Sequence, residues 1–210
     1  MDKLSNVNAY NLFNCIQEFA DQNTNPILQI LNGTEVITPY QHYPENSFSF
    51  ANNNWRFFYH CHDYLDKPEK EHGHLHFFTL INGQWSHVVA LSMNSLGQPV
   101  SWFNTNKWVT EGEWLSTNEF YNQLESLIFN SNLSLLERWL ISLLLFYKGH
   151  IESVFKQRDQ YLSSLSPRKA QDIFTDREIY QLSHINIELT NDLTQELNIE
   201  QTSHINSQQI

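Results

Sequence analysis

Residues Glu71 to His87 read EHGHLHFFTLINGQWSH, and the fold follows from the Asn82-Gly83 pair inside them. Both central positions of a two-residue hairpin turn need positive φ, which Asn and Gly supply at least cost. On either side, apolar and polar residues alternate with the period of two expected of strands. A two-residue loop would set Ile81 opposite Gln84, Phe78 opposite His87, His76 opposite Val89 and His74 opposite Leu91. His72, His74, His76 and His87 then share one face of the sheet.

Working outward, Trp55 to His62 (WRFFYHCH) shows the same period, as do the segments either side of the turn signal Asn94 to Gly97. The spacing predicts four antiparallel strands at about 55–62, 72–81, 84–93 and 98–105. A register that pairs His62 with His72 also pairs His60 with His74. A four-residue turn at 94–97 would add Val100, Trp102 and Asn104 to the histidine face, with Asn104 across from His87. Phe58, Trp85, Val89, Leu91 and Trp102 would then wall the histidines. The opposite face, with Phe57, Tyr59, Cys61, Leu75, Phe77, Val88 and Ala90, is continuously apolar and should pack on helices.

Helical signals flank the strands. Ala9, Leu12, Phe13, Ile16, Phe19 and Ala20 recur at helical spacing, and Asn23 to Pro26 closes that helix. Val36-Ile37 and Phe48 to Phe50 suit short strands. Ser116 with Glu119, and Ser134 with Glu137, are capping boxes. The second opens a long helix through Leu136, Trp139, Leu143, Tyr147, Ile151 and Phe155. Ser166-Pro167 starts a short helix, and Thr175 with Asp176 and Glu178 suggests another. The expected architecture is α+β: an antiparallel meander of about four to six strands, a curved sheet or half-barrel, packed against N-terminal and C-terminal helices. Residues 1–193 form one domain, with a β core at about 35–110 and a helical part at about 116–190. Residues 194–210 read as a flexible polar tail.

Six of the ten histidines lie between Trp55 and His87. Alternate strand residues are about 6.7 Å apart and cross-strand neighbours about 5 Å, so adjacent imidazoles on this grid reach one ion at about 2.0–2.1 Å. His72 and His76, about 13 Å apart, do not meet at one ion. Three or four of His60, His62, His72, His74 and His76 are the candidate ligands, with Glu71 or Glu69 in reach. Burying that many imidazoles without a counterpart would be costly. His87 and Glu71 are candidates for moving protons; Trp85, Trp102 and Asn104 are candidates for lining a ligand pocket. Imidazole-rich, thiolate-poor ligation suits a divalent transition metal, zinc or iron first, then nickel or copper.

Charge and composition narrow the function classes. Twelve basic against twenty-three acidic residues leave a net charge of −11, which argues against nucleic-acid binding and a polybasic membrane anchor. Two cysteines form no Cys-x-x-Cys site. The opening MDKLS lacks a signal-peptide succession, and the longest apolar run, Trp139 to Tyr147, is far short of the roughly 20 residues that span a bilayer. A cytoplasmic protein with a small-molecule ligand is expected; oligomeric state is left open. His72-Gly73-His74 departs from the apolar first spacer of histidine-triad nucleotide hydrolases, and His60-x-His62 lacks the following carboxylate of cupins. A metal-dependent enzyme acting on a small molecule, a non-catalytic metal or ligand module, and a metal-free interaction protein all remain open.

His42 to Pro44, Tyr59 to His62, Glu71 to Phe77, Asn104 to Thr110, Arg158-Asp159 and Asp176 to Ser183 together resemble an uncharacterised bacterial family, domain of unknown function 6969, over about Tyr10 to Leu193. The resemblance implies no activity. It does imply that His42 and the Asn104 to Thr110 segment, including Asn106, belong to the histidine site.

Overall fold

A computed structural model describes residues 3–63, 68 and 70–197. Six strands make one antiparallel sheet in chain order: β1 (Tyr43–Phe50), β2 (Trp55–His60), β3 (Gly73–Ile81), β4 (Gln84–Met93), β5 (Pro99–Thr105) and β6 (Gln181–Asn186). Two helices precede it, α1 (Lys3–Asp21) and α2 (Pro26–Leu31). Five lie between β5 and β6: α3 (Lys107–Thr110), α4 (Thr117–Leu124), α5 (Leu135–Phe146), α6 (Lys148–Ser164) and α7 (Pro167–Ile173). An eighth described helix, α8, covers 189–197. The fold is α+β, and none of these helices is long and apolar enough to cross a membrane.

Local signals explain most of these boundaries. Asn82 and Gly83 both have positive φ, 49° and 80°, and Ile81 pairs with Gln84. Ser116 and Ser134 each form the reciprocal capping box with Glu119 and Glu137. Ser166 accepts from the Lys169 amide ahead of Pro167. The long helix expected after Ser134 is two, because the chain leaves helical geometry at Tyr147 (φ −91°, ψ 14°). Phe48 and Phe50 lie in β1, whereas Val36 and Ile37 lie in an irregular loop.

The core occupies one side of the sheet. Phe57, Tyr59, Leu75, Phe77 and Trp102 are fully buried there with Leu140, Leu143, Ile151 and Phe155 of α5 and α6. Trp102 joins the layers, its ring centroid 5.9 Å from Phe77 and 6.1 Å from Tyr147.

Two elements depart from expectation. In β4, Phe77 pairs with Val89 but Phe78 with His87, so Val88 is an extra, bulged residue. Beyond it the register slips by one: His76 faces Ala90 and His74 faces Ser92, not Val89 and Leu91. Val89 and Leu91 turn into the helix-packed core, and Ala90 moves to the histidine face. Trp102 pairs with Leu91 and is buried in the core too; Phe103, opposite Ala90, takes the place expected for it. The side-chain amide of Asn104 donates to the Val88 carbonyl (2.9 Å), satisfying a group the bulge would leave unpaired.

The second departure follows α7. No helix starts at Thr175. Asp176 Oδ1 accepts from the Glu178 amide, a local turn that competes with helix. The Asn106 amide donates to the carbonyls of Ile173 (2.7 Å) and Ile179 (2.9 Å), holding the segment in a loop. The chain then enters β6 against β5.

Residues 189–197 are helical, so positions 194–197 of the expected tail continue a helix, and Leu193 is buried in the core. Tyr147 Oη donates to Asp192 Oδ2 at 2.8 Å. The rest of the expected tail, 198–210, lies outside the described residues. Leu193→Ala is therefore expected to lower stability by about 2–5 kcal/mol in urea unfolding; an unchanged midpoint would return this segment to a loose tail.

Candidate metal centre

Strand pairing builds the centre. β2 and β3 align His60 with His74 and Phe58 with His76, so three imidazoles converge on the sheet face away from the core. One ring nitrogen each of His60, His74 and His76 lies within 4.8 Å of the others. His74 and His76 are buried, at 2% and 1% exposure. The Nε2 atoms of His60 and His74 are 2.6 Å apart. Three imidazoles so close together are compatible with holding one metal ion.

Buried partners orient the rings from behind. Glu71 Oε1 lies 2.9 Å from His74 Nδ1, and its Oε2 accepts from Ser92 Oγ at 2.5 Å. Burial pushes the Glu71 carboxyl up, but the His74 and Ser92 hydrogen bonds outweigh it and hold the group below its usual range. An ionised Glu71 needs a proton on Nδ1, which leaves the Nε2 lone pair of His74 pointing into the cluster. This is the carboxylate–histidine arrangement that positions metal ligands. His87 stands behind His76 in the same way, its Nε2 3.1 Å from His76 Nδ1. Gly73 allows the approach of the chains here: a Cβ on it would strike Tyr59 Oη and the His60 carbonyl.

His60, His76 and His87 are held neutral. Burial, then repulsion from His74, His62 and His42, pushes His60 down to about 2. Burial, then His74 and His87, takes His76 well below its ordinary value. Burial, then the Arg158 guanidinium and His74, takes His87 to about 3. Neutral imidazole is the form that binds metal.

The remaining candidates scatter. His62 sits beside the triad, its ring 5.0 Å from His74 and 5.1 Å from His60. His72 turns away to the helix-packed side, its Nδ1 2.5 Å from Tyr59 Oη. His42 stacks on Phe58 (3.8 Å) at the rim, 5.7 Å from the His60 ring. Trp85 lies under the Arg56 guanidinium (4.4 Å), at the far end of the face. Trp102 and Asn104 are buried, with the bulge and core contacts given above, and Asn106 holds the loop before β6. Glu69 lies outside the described residues.

Tyr180 is the principal addition to the expected set. Its Oη is 3.1 Å from His74 Nε2, and its ring lies 5.6 Å from His62 and 6.3 Å from Phe103. Burial, then the Glu71 charge, pushes its phenol well up, so it is a neutral hydrogen-bond donor. With Phe103, Trp108, Tyr40, His62 and His74 it lines a cleft of about 860 Å³ beside the triad. The loop preceding β6 brings it there, and only the unforeseen strand makes that visible.

Glu71→Gln is expected to weaken metal affinity about 10- to 100-fold while the fold persists, measured by chelator competition. Unchanged affinity would remove Glu71 from the centre.

No curated protein and no solved structure matches the chain. All the side chains that build the centre lie within residues 6–187, the span matched by the family described as a domain of unknown function (DUF6969), and the chain belongs to that family.

Proposed function

We propose that the protein binds one divalent transition-metal ion through His60, His74 and His76 and uses it on a small molecule in the adjoining cleft. The observation that carries this is the convergence of three ring nitrogens within 4.8 Å, on rings oriented by Glu71 and His87. Three protein ligands beside a cleft resemble catalytic sites, which keep a coordination position open, more than closed structural sites. Such an ion supplies Lewis acidity and lowers the pKa of a bound water. Tyr180 contributes a hydroxyl donor at the mouth of the triad, and Phe103 and Trp108 give the cleft apolar walls. An imidazole donor set favours zinc or iron, with nickel and copper next.

A second reading rests on His62. Its ring lies 5.0 Å from that of His74 and 5.1 Å from that of His60, outside the three-nitrogen cluster, and a swing of its side chain toward the ion would complete a four-histidine shell and make the protein a storage or structural metal module. Elemental analysis of protein prepared without a histidine tag, loaded with zinc or iron(II) and dialysed, is expected to give about one ion per chain. No stoichiometric metal after loading would overturn the proposal. His62→Ala separates the two readings: retained metal supports the open site, and lost metal the closed one.

A further inference from the structure

We infer that the cleft beside the triad selects a small organic anion, with Arg177 and Lys70 taking its carboxylate or phosphate. The inference deepens the metal reading by naming the substrate class.

The charge on the walls carries it. The chain as a whole is strongly acidic, with twenty-three carboxylates against twelve basic side chains. The described walls of the cleft reverse that balance: Lys70 and Arg177 stand on them against a single carboxylate, Glu71. That carboxylate is already committed, one oxygen to His74 and the other to Ser92. Neutral imidazole ligands would also leave a bound cation's charge uncompensated, adding to the positive potential. An anion entering the cleft therefore leaves an unfavourable general field for a locally favourable one.

Arg177 is held for this task. Its guanidinium lies over the Trp108 ring at 5.2 Å from the centroid. Trp108 in turn is fixed, its Nε1 donating to the Ile179 carbonyl at 2.9 Å and its ring 6.2 Å from Tyr180. A guanidinium stacked on an aromatic face keeps its edge donors available, in the planar fork that fits a carboxylate or phosphate. Tyr180 ties this platform to the triad through His74. The head group would thus sit on Arg177 while the body of the molecule lies against Tyr180 and Phe103 toward the metal.

The test is calorimetric titration of the zinc-loaded full-length protein with benzoate, inorganic phosphate and benzylammonium at low ionic strength. Binding of benzoate or phosphate is expected, weakened about 10- to 100-fold in Arg177→Gln, the range expected when a hydrogen bond to a charged group is lost. Benzoate without phosphate identifies a carboxylate bound with its ring; both together identify any oxyanion head. Benzylammonium binding as well as benzoate, absence of binding by either anion, or anion affinity unchanged in Arg177→Gln would overturn the inference with the metal reading intact. If zinc itself fails to bind, the same titrations on metal-free protein decide: Arg177-dependent anion binding upholds the anion site without the metal, and its absence overturns it.

Discussion

His74→Ala is expected to abolish stoichiometric metal binding and, separately, to destabilise the metal-free protein. His74 is where the centre's contacts meet: Nε2 faces both His60 and Tyr180, and Nδ1 faces Glu71. Losing a ligand should exceed the roughly 10- to 100-fold loss typical of an outer partner, so chelator competition should show a fall beyond about 100-fold. The second effect comes from Glu71. Its carboxylate is buried, and without His74 it keeps only the Ser92 hydroxyl among the described side chains; losing a hydrogen bond to a buried charged group typically costs about 1.5–3 kcal/mol. Adding Glu71→Gln to His74→Ala should then recover part of the lost stability, because the two changes share one interaction. Wild-type metal affinity in His74→Ala would sink the centre. Strict additivity in urea unfolding would sink the role given to Glu71.

The metal-free protein is also expected to unfold on mild acidification. His60 is held at about 2 and His87 at about 3, against about 6.5 in an unfolded chain. Between those values the unfolded state takes up protons that the folded state refuses. Stability is therefore complete above about pH 6.5 and falls as the pH drops, by about 1.4 kcal/mol per pH unit for each imidazole. Two imidazoles over two pH units amount to about 5 kcal/mol, comparable with the whole stability of a typical domain. Glu71, held below its usual range, acts in the same direction at lower pH. Thermal unfolding in the presence of a chelator should show Tm falling steeply from pH 6.5 to 4.5. A flat profile would mean that these imidazoles are not buried neutral.

Much of this was legible from residue order because the signals were local. Asn82-Gly83 demands a backbone that few other dipeptides adopt, and once that turn is placed the start of β4 follows. Alternation puts His60 and His74 on neighbouring strands without setting their register; of the registers that the 63–71 loop allows, the one that pairs them is adopted, and it yields the triad. The capping boxes at Ser116 and Ser134 were readable because each is closed within four residues.

What stayed hidden depends on partners far along the chain. The Val88 bulge has no marker of its own: Val88, Val89, Ala90 and Leu91 are all apolar, so either register buries an apolar residue. The group that satisfies the bulge is Asn104, sixteen positions away. Thr175 to Glu178 imitates a helix start, and the deciding contact is the Asn106 amide on carbonyls of Ile173 and Ile179. Tyr180 directly precedes β6 and is hidden with it, because that strand carries no local signal. Spacing alone groups His72 with the other histidines, but it precedes the first residue of β3 and binds Tyr59 on the other side.

The bulge makes chain length, more than composition, the sensitive property of β4. Any apolar residue of similar size can stand at position 88 and serve as the spacer. One residue inserted between Val89 and Ala90 would exchange the inner and outer assignments of every side chain from Ala90 to Met93 at once. Leu91 would be placed against Glu71 where Ser92 now donates, and the core would receive a serine. The centre therefore tolerates edits in the letters of this strand far better than an added one.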